Sequence, residues 1–476
     1  MAIRELDLPV SPAELLLRLP PSPGVFLLDG GNPDSWGEGE AWLGCEPREF
    51  GSAGAPAAAR EGTRAAEALL ARACEASRRL RASRPSPPPP EPAGGVLLAL
   101  GYELGRVFEP ALPEKPSQGP VLFYAVHPWL LAYSYRERRY TLRSRVLSPS
   151  DLDRRARWLE KLAFRPLAPE APVASRFSRP VCLPERPAHL RAVSRALEYI
   201  RAGDIYQVNL AVRFSLRFSG CPRRLFRSWL ARHPAPFSGY LEGDGFALLS
   251  NSPECFLRRR GFEVATFPIK GTMPRGRTPE EDRALGERLL GSPKDLAEHV
   301  MIVDLERNDL GRVCRIGTVH VRTLARLETL PTLFHLESEV AGTLRPGVTT
   351  EDLLRATFPG GSITGAPKIR AMEIIDELEP FPRGFYTGSL GLLDGEEWFV
   401  SNIAIRTAVL MQNELRYYAG GGIVADSVPE REHDEVLLKA RSFFEVARGG
   451  RHELDSQLRR RERTGGPGQP RLGERL

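Results

Sequence analysis

The hydrophobic positions of the chain follow two different periods. Between residues 188 and 202 they recur every three or four positions, as on one face of an amphipathic helix that ends at Gly203. From Tyr206 to Phe214 apolar and polar residues alternate, which predicts a strand. The same criteria predict further strands at 238–241, 246–250, 319–327, 333–343, 386–393, 398–410 and 415–419, and helices at 222–233, 280–290, 350–357, 369–377 and 429–448. Consecutive groups of strands with long helices between them favour an α+β fold with large antiparallel sheets over a doubly wound parallel sheet.

Changes in composition divide the chain into three regions. Residues 1–187 contain shorter elements, a proline-rich loop at 84–92 and a proline-rich linker at their end. Residues 188–447 contain longer elements and most of the motifs that carry chemistry. Residues 448–476 are rich in Arg, Gly and Pro, and we expect them to form a disordered basic tail. Because this tail is basic, the net charge of +6 is not evidence for nucleic-acid binding.

The overall composition is that of a soluble globular protein. Of the 476 residues, 42% are hydrophobic and 26% are charged. No apolar run approaches the roughly 20 residues of a membrane helix, and nothing at the N-terminus resembles a signal peptide. The six cysteines show no CxxC or zinc-ligand spacing. We therefore expect a cytoplasmic protein with reduced thiols and without a membrane partner.

Three ionisable residues lie where packing alone rarely places them. Glu254 precedes the apolar run Cys255–Leu257, and Lys270 ends the strand-like run Val264–Ile269. Glu298 lies on a predicted helix whose neighbouring turns are apolar, so its carboxylate is at the edge of a buried face. A carboxylate in that position is costly unless a cation pairs with it.

Lys270 is also unusual because the chain contains few lysines. Only six of the 66 basic residues are lysines. A desolvated lysine can lose its proton and act as a base or nucleophile, whereas arginine stays protonated. Chance explains the retention of Lys115 and Lys161, but Lys270 directly precedes Gly271 and Thr272, and we interpret it as functional.

Two pairs of carboxylates are spaced for one helix face each. Asp295 and Glu298 are three residues apart, as are Glu432 and Glu435. With no His or Cys ligand nearby, the two pairs would suit a hard cation such as Mg²⁺, which prefers oxygen ligands. From the spacing alone, two solvated helix faces are the favoured interpretation.

Other groups are suited to binding an anion. Residues 359–368 form a Gly-rich turn before a predicted helix, whose first backbone amides can bind an anion. Gly365–Lys368 departs from the P-loop pattern, so a carboxylate is expected rather than a nucleotide phosphate. Arg406, inside the predicted strand 398–410, suits bidentate carboxylate binding. Gly420–Gly422 would let a ligand approach the backbone closely, although a simple strand-to-helix turn explains these glycines equally well.

Taken in order, these motifs resemble the family of chorismate-utilising enzymes. The resemblance covers nearly all of 188–447, and the first region is similar in layout only. It rests on PIKGT at 268–272, DLAEHVMIVDLERNDLGRV at 295–313, HLESEVAGTL at 335–344, GGSITGAPKIRAMEIIDELEP at 360–380 and AGGGIVADSVPEREHDEVLLKA at 419–440.

Two positions indicate a branch within that family. Relatives that make anthranilate, isochorismate or salicylate typically have PIAGT where this chain has Lys270. The branch that makes 4-amino-4-deoxychorismate has PIKGT, and its Lys is thought to attack C2 of chorismate. Gln207 matches the place where water-adding relatives carry a Lys base, and an amide cannot activate water. The resemblance therefore implies formation of 4-amino-4-deoxychorismate, with anthranilate formation as the alternative.

The resemblance also implies a role for each site residue. Lys270 would be the nucleophile, and Glu254 the acid that protonates the departing 4-hydroxyl, which requires a raised pKa at Glu254. Mg²⁺ would be bound by Glu298 and Glu435 with support from Asp295 and Glu432. The remaining residues implied to bind substrate are Arg406, Tyr386, Gly420, Gly421, Gly422, Lys439, Ser362, Thr364, His335 and Gln207.

The ammonia is expected to come from a separate protein. Cys255 lies inside the Ser-Pro-Glu motif, and no cysteine is followed by a glutaminase-like Gly-rich elbow. The resemblance therefore implies a glutaminase subunit as partner.

A third possibility is a protein of this fold that only binds and regulates, but such a protein would not need Lys270. In relatives the first region holds tryptophan, and Leu27–Asp29 departs from the pattern of the feedback-regulated ones.

Overall fold

The computed structural model describes residues 1–31, 36, 39–54, 59–81, 91–109, 112, 119–167, 176–330 and 333–447. The helices of this part are α1 Pro12–Leu16, α2 Ala59–Arg81, α3 Leu104–Phe108, α4 Pro149–Ala163, α5 Arg186–Ala202, α6 Pro222–Arg232, α7 Pro279–Leu290, α8 Pro293–Gly311, α9 Thr350–Thr357, α10 Lys368–Leu378 and α11 Pro429–Ala447, with a 3₁₀ turn at Gly361–Ile363. None of these helices is both long and apolar enough to cross a membrane.

Strands occur along most of the described chain, from Ala2 to Ile423. They are β1 Ala2–Leu6, β2 Phe26–Leu28, β3 Glu40–Gly44, β4 Glu49–Gly54, β5 Gly95–Leu100, β6 Pro120–His127, β7 Trp129–Ser134, β8 Arg139–Ser144, β9 Arg176–Phe177, β10 Val181–Leu183, β11 Gln207–Ser219, β12 Phe237–Glu242, β13 Phe246–Ser252, β14 Cys255–Arg260, β15 Glu263–Thr266, β16 Ile269–Pro274, β17 His320–Thr329, β18 Leu333–Thr343, β19 Gly365–Ala366, β20 Ser389–Asp394, β21 Trp398–Asn402, β22 Thr407–Met411 and β23 Glu414–Ile423.

These strands form two large antiparallel sheets. The first has the order β1-β8-β7-β3-β2-β12-β13-β22-β23-β11-β10, and the short strands β9 and β19 also pair with β11. The second has the order β16-β18-β15-β14-β21-β20-β5-β6-β4, with β17 paired to β18. The predicted α+β class with large antiparallel sheets is confirmed.

The two sheets face each other, and helices cover their outer faces. Phe26, Trp42 and Leu248 of the first sheet pack with Phe123 and Leu392 of the second in one buried apolar cluster. A second cluster joins the first sheet to α1, α4, α6 and α11. A third joins the second sheet to α2, α8, α9 and α10. The core is therefore a sheet-on-sheet layer with one helical layer on each side.

Both predicted regions of the chain contribute to each sheet. The boundary predicted between residues 187 and 188 lies in α5, which begins at Arg186. In the first sheet β2 pairs with β12, and in the second β5 pairs with β20. Strands from either side of the boundary are therefore hydrogen-bonded in continuous sheets.

One strand prediction is wrong in a way that affects the site. The run 398–410 is two strands, because β21 belongs to the second sheet and β22 to the first. Residues 403–406 carry the chain between the sheets, and Arg406 has a left-handed φ of 48°. Arg406 is therefore in a crossover and not in a strand. The last predicted strand group also starts later, since β20 begins at Ser389 and leaves Tyr386 in the preceding turn.

Two predictions fall wholly or mainly outside the described residues. They are the proline-rich loop at 84–92, of which only 91 and 92 are described, and the basic tail at 448–476.

Candidate active site

The candidate site is built where the chain passes from one sheet to the other. The crossover from β13 to β14 carries Glu254, and the crossover from β21 to β22 carries Arg406. Ile403 N–H donates to Glu254 O at 3.0 Å, and Asn251 N–H donates to Arg406 O at 2.9 Å. Ser252 Oγ donates to Ile403 O at 2.6 Å. The two crossovers are thus held side by side, which places a carboxyl and a guanidinium in one region.

Lys270 and Glu254 meet at the 3₁₀ turn Gly361–Ile363. Lys270 Nζ donates to Ser362 O at 3.3 Å, and Ser362 Oγ donates to Glu254 Oε1 at 2.6 Å. A bulge at Gly271, with φ of 67°, shifts the register of β16 against β18 just after Lys270. Bulges of this kind redirect side chains. Ser362 therefore contacts both groups that were predicted to carry the chemistry.

Burial sets the protonation of Glu254. The residue is 4% exposed, and this burial raises the pKa of its carboxyl to about 7 against the partial compensation of Ser362 and Lys270. A carboxyl with that pKa is substantially protonated at neutral pH, so it can donate a proton. The upward direction of this pKa shift is the one that the predicted role of Glu254 requires.

His335 and Arg406 form the side of the site that suits an anion. Arg406 Nη2 lies 3.4 Å from His335 Nε2, and His335 Nδ1 lies 3.0 Å from Gly271 O. Burial, with Arg406 beside the ring, lowers the pKa of His335 to about 3. The ring is therefore neutral, and the contacts assign its proton to Nδ1. Within the described residues no carboxylate pairs with Arg406, and burial lowers the pKa of its guanidinium.

Gly420–Gly422 on β23 form another part of the site. A Cβ on Gly420 would come within 2.6 Å of Leu210 O and 2.9 Å of Tyr386 Oη, and a Cβ on Gly422 within 2.4 Å of Gln207 Nε2. These two glycines are required because their neighbours occupy the space. Tyr386 is held by stacking on Tyr418, with ring centroids 5.0 Å apart.

The central glycine faces charged side chains. A Cβ on Gly421 would lie 3.6 Å from Glu435 Oε1, 3.7 Å from Glu432 Oε2 and 3.8 Å from Lys439 Nζ. Glu432 is buried, and burial raises its pKa. Glu435 is half-exposed, and Lys439 is the main cause of its lowered pKa. The helix α11 therefore presents its acidic pair to the glycine strand, as the spacing of the pair predicted.

Each of the two main candidate metal ligands is paired with a lysine. Glu298 Oε1 lies 3.1 Å from Lys270 Nζ, so the cation that the sequence required for this carboxylate is present. Gln207 Nε2 also donates to Glu298 Oε1 at 3.3 Å. Glu435 Oε1 lies 2.7 Å from Lys439 Nζ. Both carboxylates are close to the Gly421–Gly422 backbone, since Glu298 Oε1 is 3.0 Å from the Cβ that Gly422 lacks.

The acids do not form a ready-made metal cage. In the described part of the chain, no three His, Cys, Asp or Glu side chains converge as a metal-binding group. Asp295, at the start of α8, bonds to its capping residue Ser292 through its side chain. Mg²⁺ commonly keeps several waters and takes one or two protein carboxylates with substrate oxygens. Glu298 and Glu435, facing one glycine strand, fit that mode of binding.

Two residues differ from what the motifs indicate: Thr364 was predicted to line the site, and Asn209 was not. Thr364 Oγ1 donates to Gly360 O at 2.9 Å, so its hydroxyl is engaged inside the turn. Asn209 was not among the predicted site residues. Its side-chain oxygen is buried without a hydrogen-bond partner among the described residues, 3.0 Å from the Cβ that Gly420 lacks. The sequence contained a signal that could have identified Asn209 as a site residue, because Asn209 is two positions from Gln207 and shares its face of β11.

Comparisons with known proteins find related chains over most of the sequence. A sequence profile for chorismate binding enzyme matches residues 26–445. Anthranilate synthase component 1 of Thermus thermophilus is 41% identical over 359 residues, which cover 74% of this chain and 77% of that relative. Aminodeoxychorismate synthase component 1 of Klebsiella aerogenes is 41% identical over 379 residues, which cover 78% of this chain and 80% of that relative. The crystal structure of anthranilate synthase component I from Streptococcus pneumoniae TIGR4 matches with a TM-score of 0.73 and 28% identity, covering 91% of this chain and 97% of that one.

Proposed function

The chain belongs to the chorismate-binding enzyme family, and from that premise we propose that it is component I of an aminodeoxychorismate synthase. In this role it converts chorismate and ammonia to 4-amino-4-deoxychorismate. The observation that carries the proposal is the position of Lys270. Its amine lies at the same turn as the protonatable carboxyl of Glu254, and Ser362 contacts both.

The two groups suit a two-step substitution. In the first step Lys270 Nζ forms a bond to C2 of chorismate while both ring double bonds shift by one position and the C4–O bond breaks. Glu254 gives its proton to the departing oxygen, which leaves as water. In the second step ammonia forms a bond to C4, both ring double bonds shift back and the C2–N bond to Lys270 breaks. A solvent proton restores Glu254.

A second set of residues in the site would hold the substrate. Arg406 is available for a carboxylate because its guanidinium has no acidic partner among the described residues. His335 accepts a hydrogen bond from Arg406 and so orients it, and the Tyr386 hydroxyl lies beside Gly420. Bidentate binding of a carboxylate is the usual role of such an arginine.

Glu298 and Glu435 would hold Mg²⁺, with Glu432 and Asp295 close to them. When bound, the ion supplies positive charge for the second carboxylate of the substrate. Lys270 and Lys439 neutralise these two acids in the absence of the ion. Transfer of Glu298 from Lys270 to the ion would leave the Lys270 amine free to react.

The ammonia is assigned to a separate glutaminase. Both relatives are named component 1, and this name implies a second component. Burial raises the pKa of the Cys255 thiol to about 12, so this thiol is not a glutaminase nucleophile. All six cysteines are free thiols, which suits the cytoplasm.

Anthranilate synthesis is the second candidate. The Thermus thermophilus relative named for it is as similar as the Klebsiella aerogenes relative named for aminodeoxychorismate synthesis. The same pocket would serve both reactions, since both begin from chorismate and ammonia. Lys270 favours the first, because a nucleophilic side chain at C2 directs ammonia to C4.

Product identification tests the proposal. The purified chain is incubated with chorismate, Mg²⁺ and an ammonium salt, and the products are identified by mass. We expect 4-amino-4-deoxychorismate, and we expect no turnover when glutamine replaces the ammonium salt. Anthranilate as the main product would overturn the assignment, and glutamine-dependent turnover by this chain alone would overturn the need for a partner.

A further inference from the structure

Two carboxamides on one face of β11 each have an oxygen to which nothing in the described part of the chain donates. Gln207 and Asn209 are two positions apart, so their side chains point to the same side of the strand. Gln207 is 0% exposed and Asn209 is 8% exposed. Gln207 Oε1 and Asn209 Oδ1 are both buried without a hydrogen-bond partner among the described residues. Buried acceptors without donors are rare and costly, so packing alone does not explain two of them side by side.

The backbone of Asn209 is fixed beside the Gly-rich turn. Its N–H donates to Thr364 O at 2.8 Å, and Arg383 Nη2 donates to its carbonyl oxygen at 2.8 Å. Arg383 is itself held by two hydrogen bonds to the buried carboxylate of Glu379. These bonds join β11 to the turn that carries Ser362, so Asn209 is held next to the groups proposed for the chemistry.

The face of β11 that carries both carboxamides borders the candidate site. Asn209 Oδ1 lies 3.0 Å from the position of the Cβ that Gly420 lacks. Gln207 Nε2 donates to Glu298 Oε1 at 3.3 Å, and the same oxygen lies 3.1 Å from Lys270 Nζ. Two positions along a strand are roughly 7 Å apart. The Asn209 amide is therefore one step along β11 from a side chain that shares a contact with the proposed nucleophile.

A free acceptor requires a ligand that carries hydrogen-bond donors. Chorismate with both carboxyl groups ionised has one donor, the 4-hydroxyl, and the proposed mechanism assigns that group to Glu254. Ammonia has three N–H donors and a lone pair. An amide oxygen accepts an N–H without taking up a proton. A carboxylate in the same place would instead hold ammonium, which has no lone pair with which to react.

We propose that Asn209 Oδ1 binds the incoming ammonia, with Gln207 Oε1 as a second acceptor, and that these bonds turn the lone pair of ammonia toward C4 of the substrate. This inference rests on the proposed function, because it takes ammonia as the second substrate of this chain. In the second step the lone pair forms the C4–N bond, and all three hydrogens stay on that nitrogen. The positive charge passes from the Lys270 nitrogen of the adduct to the new ammonium group, so neither carboxamide takes up a proton.

The first test measures KM for ammonium and KM for chorismate separately. Asn209→Leu removes the acceptor at a similar size, and we expect it to raise KM for ammonium by roughly tenfold while KM for chorismate is unchanged. Asn413→Leu, in the exposed turn between β22 and β23, is the matched control. Thermal melting establishes that each variant is folded. An unchanged KM for ammonium, or a rise in KM for chorismate instead, would overturn the inference.

A second variant gives an independent result if Asn209→Leu does not fold. Asn209→Asp keeps the size of the side chain and an acceptor oxygen, but its carboxylate holds ammonium in the protonated form. We expect a KM for ammonium no higher than that of the wild type and a kcat lowered by roughly tenfold. A raised KM for ammonium in Asn209→Asp, or a kcat equal to that of the wild type, would contradict the role of an uncharged acceptor.

The third test separates the two steps of the reaction. Without ammonium the first step stops at the Lys270 adduct, which intact-protein mass spectrometry detects as chorismate minus water. We expect Asn209→Leu to form this adduct as fast as the wild type, and to lose it roughly tenfold more slowly when a subsaturating ammonium salt is added. A merely structural role of Asn209 predicts that both steps slow together, and that result would refute ammonia binding.

These measurements distinguish the inference from the function on which it rests. A wild-type chain that makes neither the adduct nor an amino product from chorismate would refute the proposed function. A wild type that makes the product, beside a folded Asn209→Leu that uses ammonium with the wild-type KM, would refute only the role of Asn209.

Discussion

The two sides of the site carry charge differently. On the side of Gly421 and Gly422, the carboxylates of Glu298 and Glu435 are each paired with a lysine. We call this the acidic side. On the side of His335, the guanidinium of Arg406 has no acidic partner among the described residues. We call this the Arg406 corner.

The difference indicates what each side can accept. The acidic side is already neutralised, so it can bind a metal cation only by exchanging an ammonium for it. The Arg406 corner carries an uncompensated charge in a poorly hydrated place, so an anion gains a strong interaction there without breaking an existing ion pair. A substrate with two carboxylates and an accompanying cation matches both sides.

The largest expected effect comes from removing the lysine of the acidic side. Lys270→Ala should lower formation of the 4-amino product by roughly 10³-fold, because the covalent route is gone. The vacated space admits ammonia at C2, so traces of 2-amino product or anthranilate are expected. Lys270→Arg should be at least as inactive, since guanidinium stays protonated. Product analysis by mass and thermal melting are the measurements.

The order of the two variants decides between a chemical and a structural lysine. A structural Lys270 predicts the reverse, with Arg tolerated and Ala destabilising. Lys161→Ala, on an exposed part of α4, controls for the loss of any lysine. A Lys270→Arg enzyme near the wild-type rate would end the covalent hypothesis.

Next in size is the loss of the free cation in the Arg406 corner. Arg406→Gln should raise KM for chorismate by roughly 100-fold, because a substrate carboxylate is left without its partner. Arg406→Lys should recover part of the affinity, since it restores charge but not the two-pronged geometry. Steady-state kinetics measure both, with Arg201→Gln on α5 as an exposed control. If KM is unchanged in Arg406→Gln, the corner does not bind the substrate.

A smaller effect is expected for the metal on the acidic side. Glu298→Ala and Glu435→Ala should each weaken Mg²⁺ binding by at least about tenfold, because each removes one of few protein ligands. Calorimetric titration of Mg²⁺ in the presence of substrate, beside turnover at low Mg²⁺, checks this. Glu430→Ala, one turn away and exposed, should bind Mg²⁺ normally. Wild-type Mg²⁺ affinity in Glu298→Ala or Glu435→Ala would favour the alternative interpretation, in which these carboxylates lie on solvated helix faces and do not bind the ion.

The smallest expected effect concerns stability and Glu254. Its pKa of about 7 in the folded protein lies above the value near 4.3 of an unfolded Glu, so folding favours the protonated form. The contribution of Glu254 to the free energy of unfolding therefore falls as pH rises from about 4 to about 7, by roughly 3 kcal/mol. Glu254→Gln removes this dependence and should gain stability relative to the wild type at pH 8 but not at pH 4. Denaturant unfolding at pH 4 and pH 8 measures the free energy of unfolding of both proteins. An equal difference between wild type and Glu254→Gln at the two pH values would contradict the raised pKa.

The sequence was sufficient for the fold class and for pairs that lie on one element. Alternation and helical spacing gave most strands and helices, and the three-residue spacing of Glu432 and Glu435 gave their common face. The need for a cation beside Glu298 also followed from its apolar neighbours. The identity of that cation did not follow, because Lys270 is 28 residues away and reaches Glu298 only through the pairing of β16 with β18 and the packing of α8 on β16 and β18.

The crossovers could not be predicted from periodicity. The run 398–410 is apolar on both sides of Arg406, so nothing in its pattern marks a change of sheet. The change is visible only in the partners of β21 and β22 and in the left-handed φ of Arg406. Asp295 and Thr364 illustrate the reverse case, since their motifs imply ligand contacts while local capping and turn bonds engage their side chains.

The sheets shared by both regions have a consequence for any attempt to shorten the protein. A fragment that begins at residue 188 would lose β2 beside β12 and β5 beside β20. Each loss would bare a row of backbone N–H and C=O groups along an inner, apolar strand, which is a template for intermolecular pairing. Residues 188–447 hold every predicted catalytic group, yet they do not amount to a separable catalytic module, and such a fragment should aggregate rather than turn over substrate.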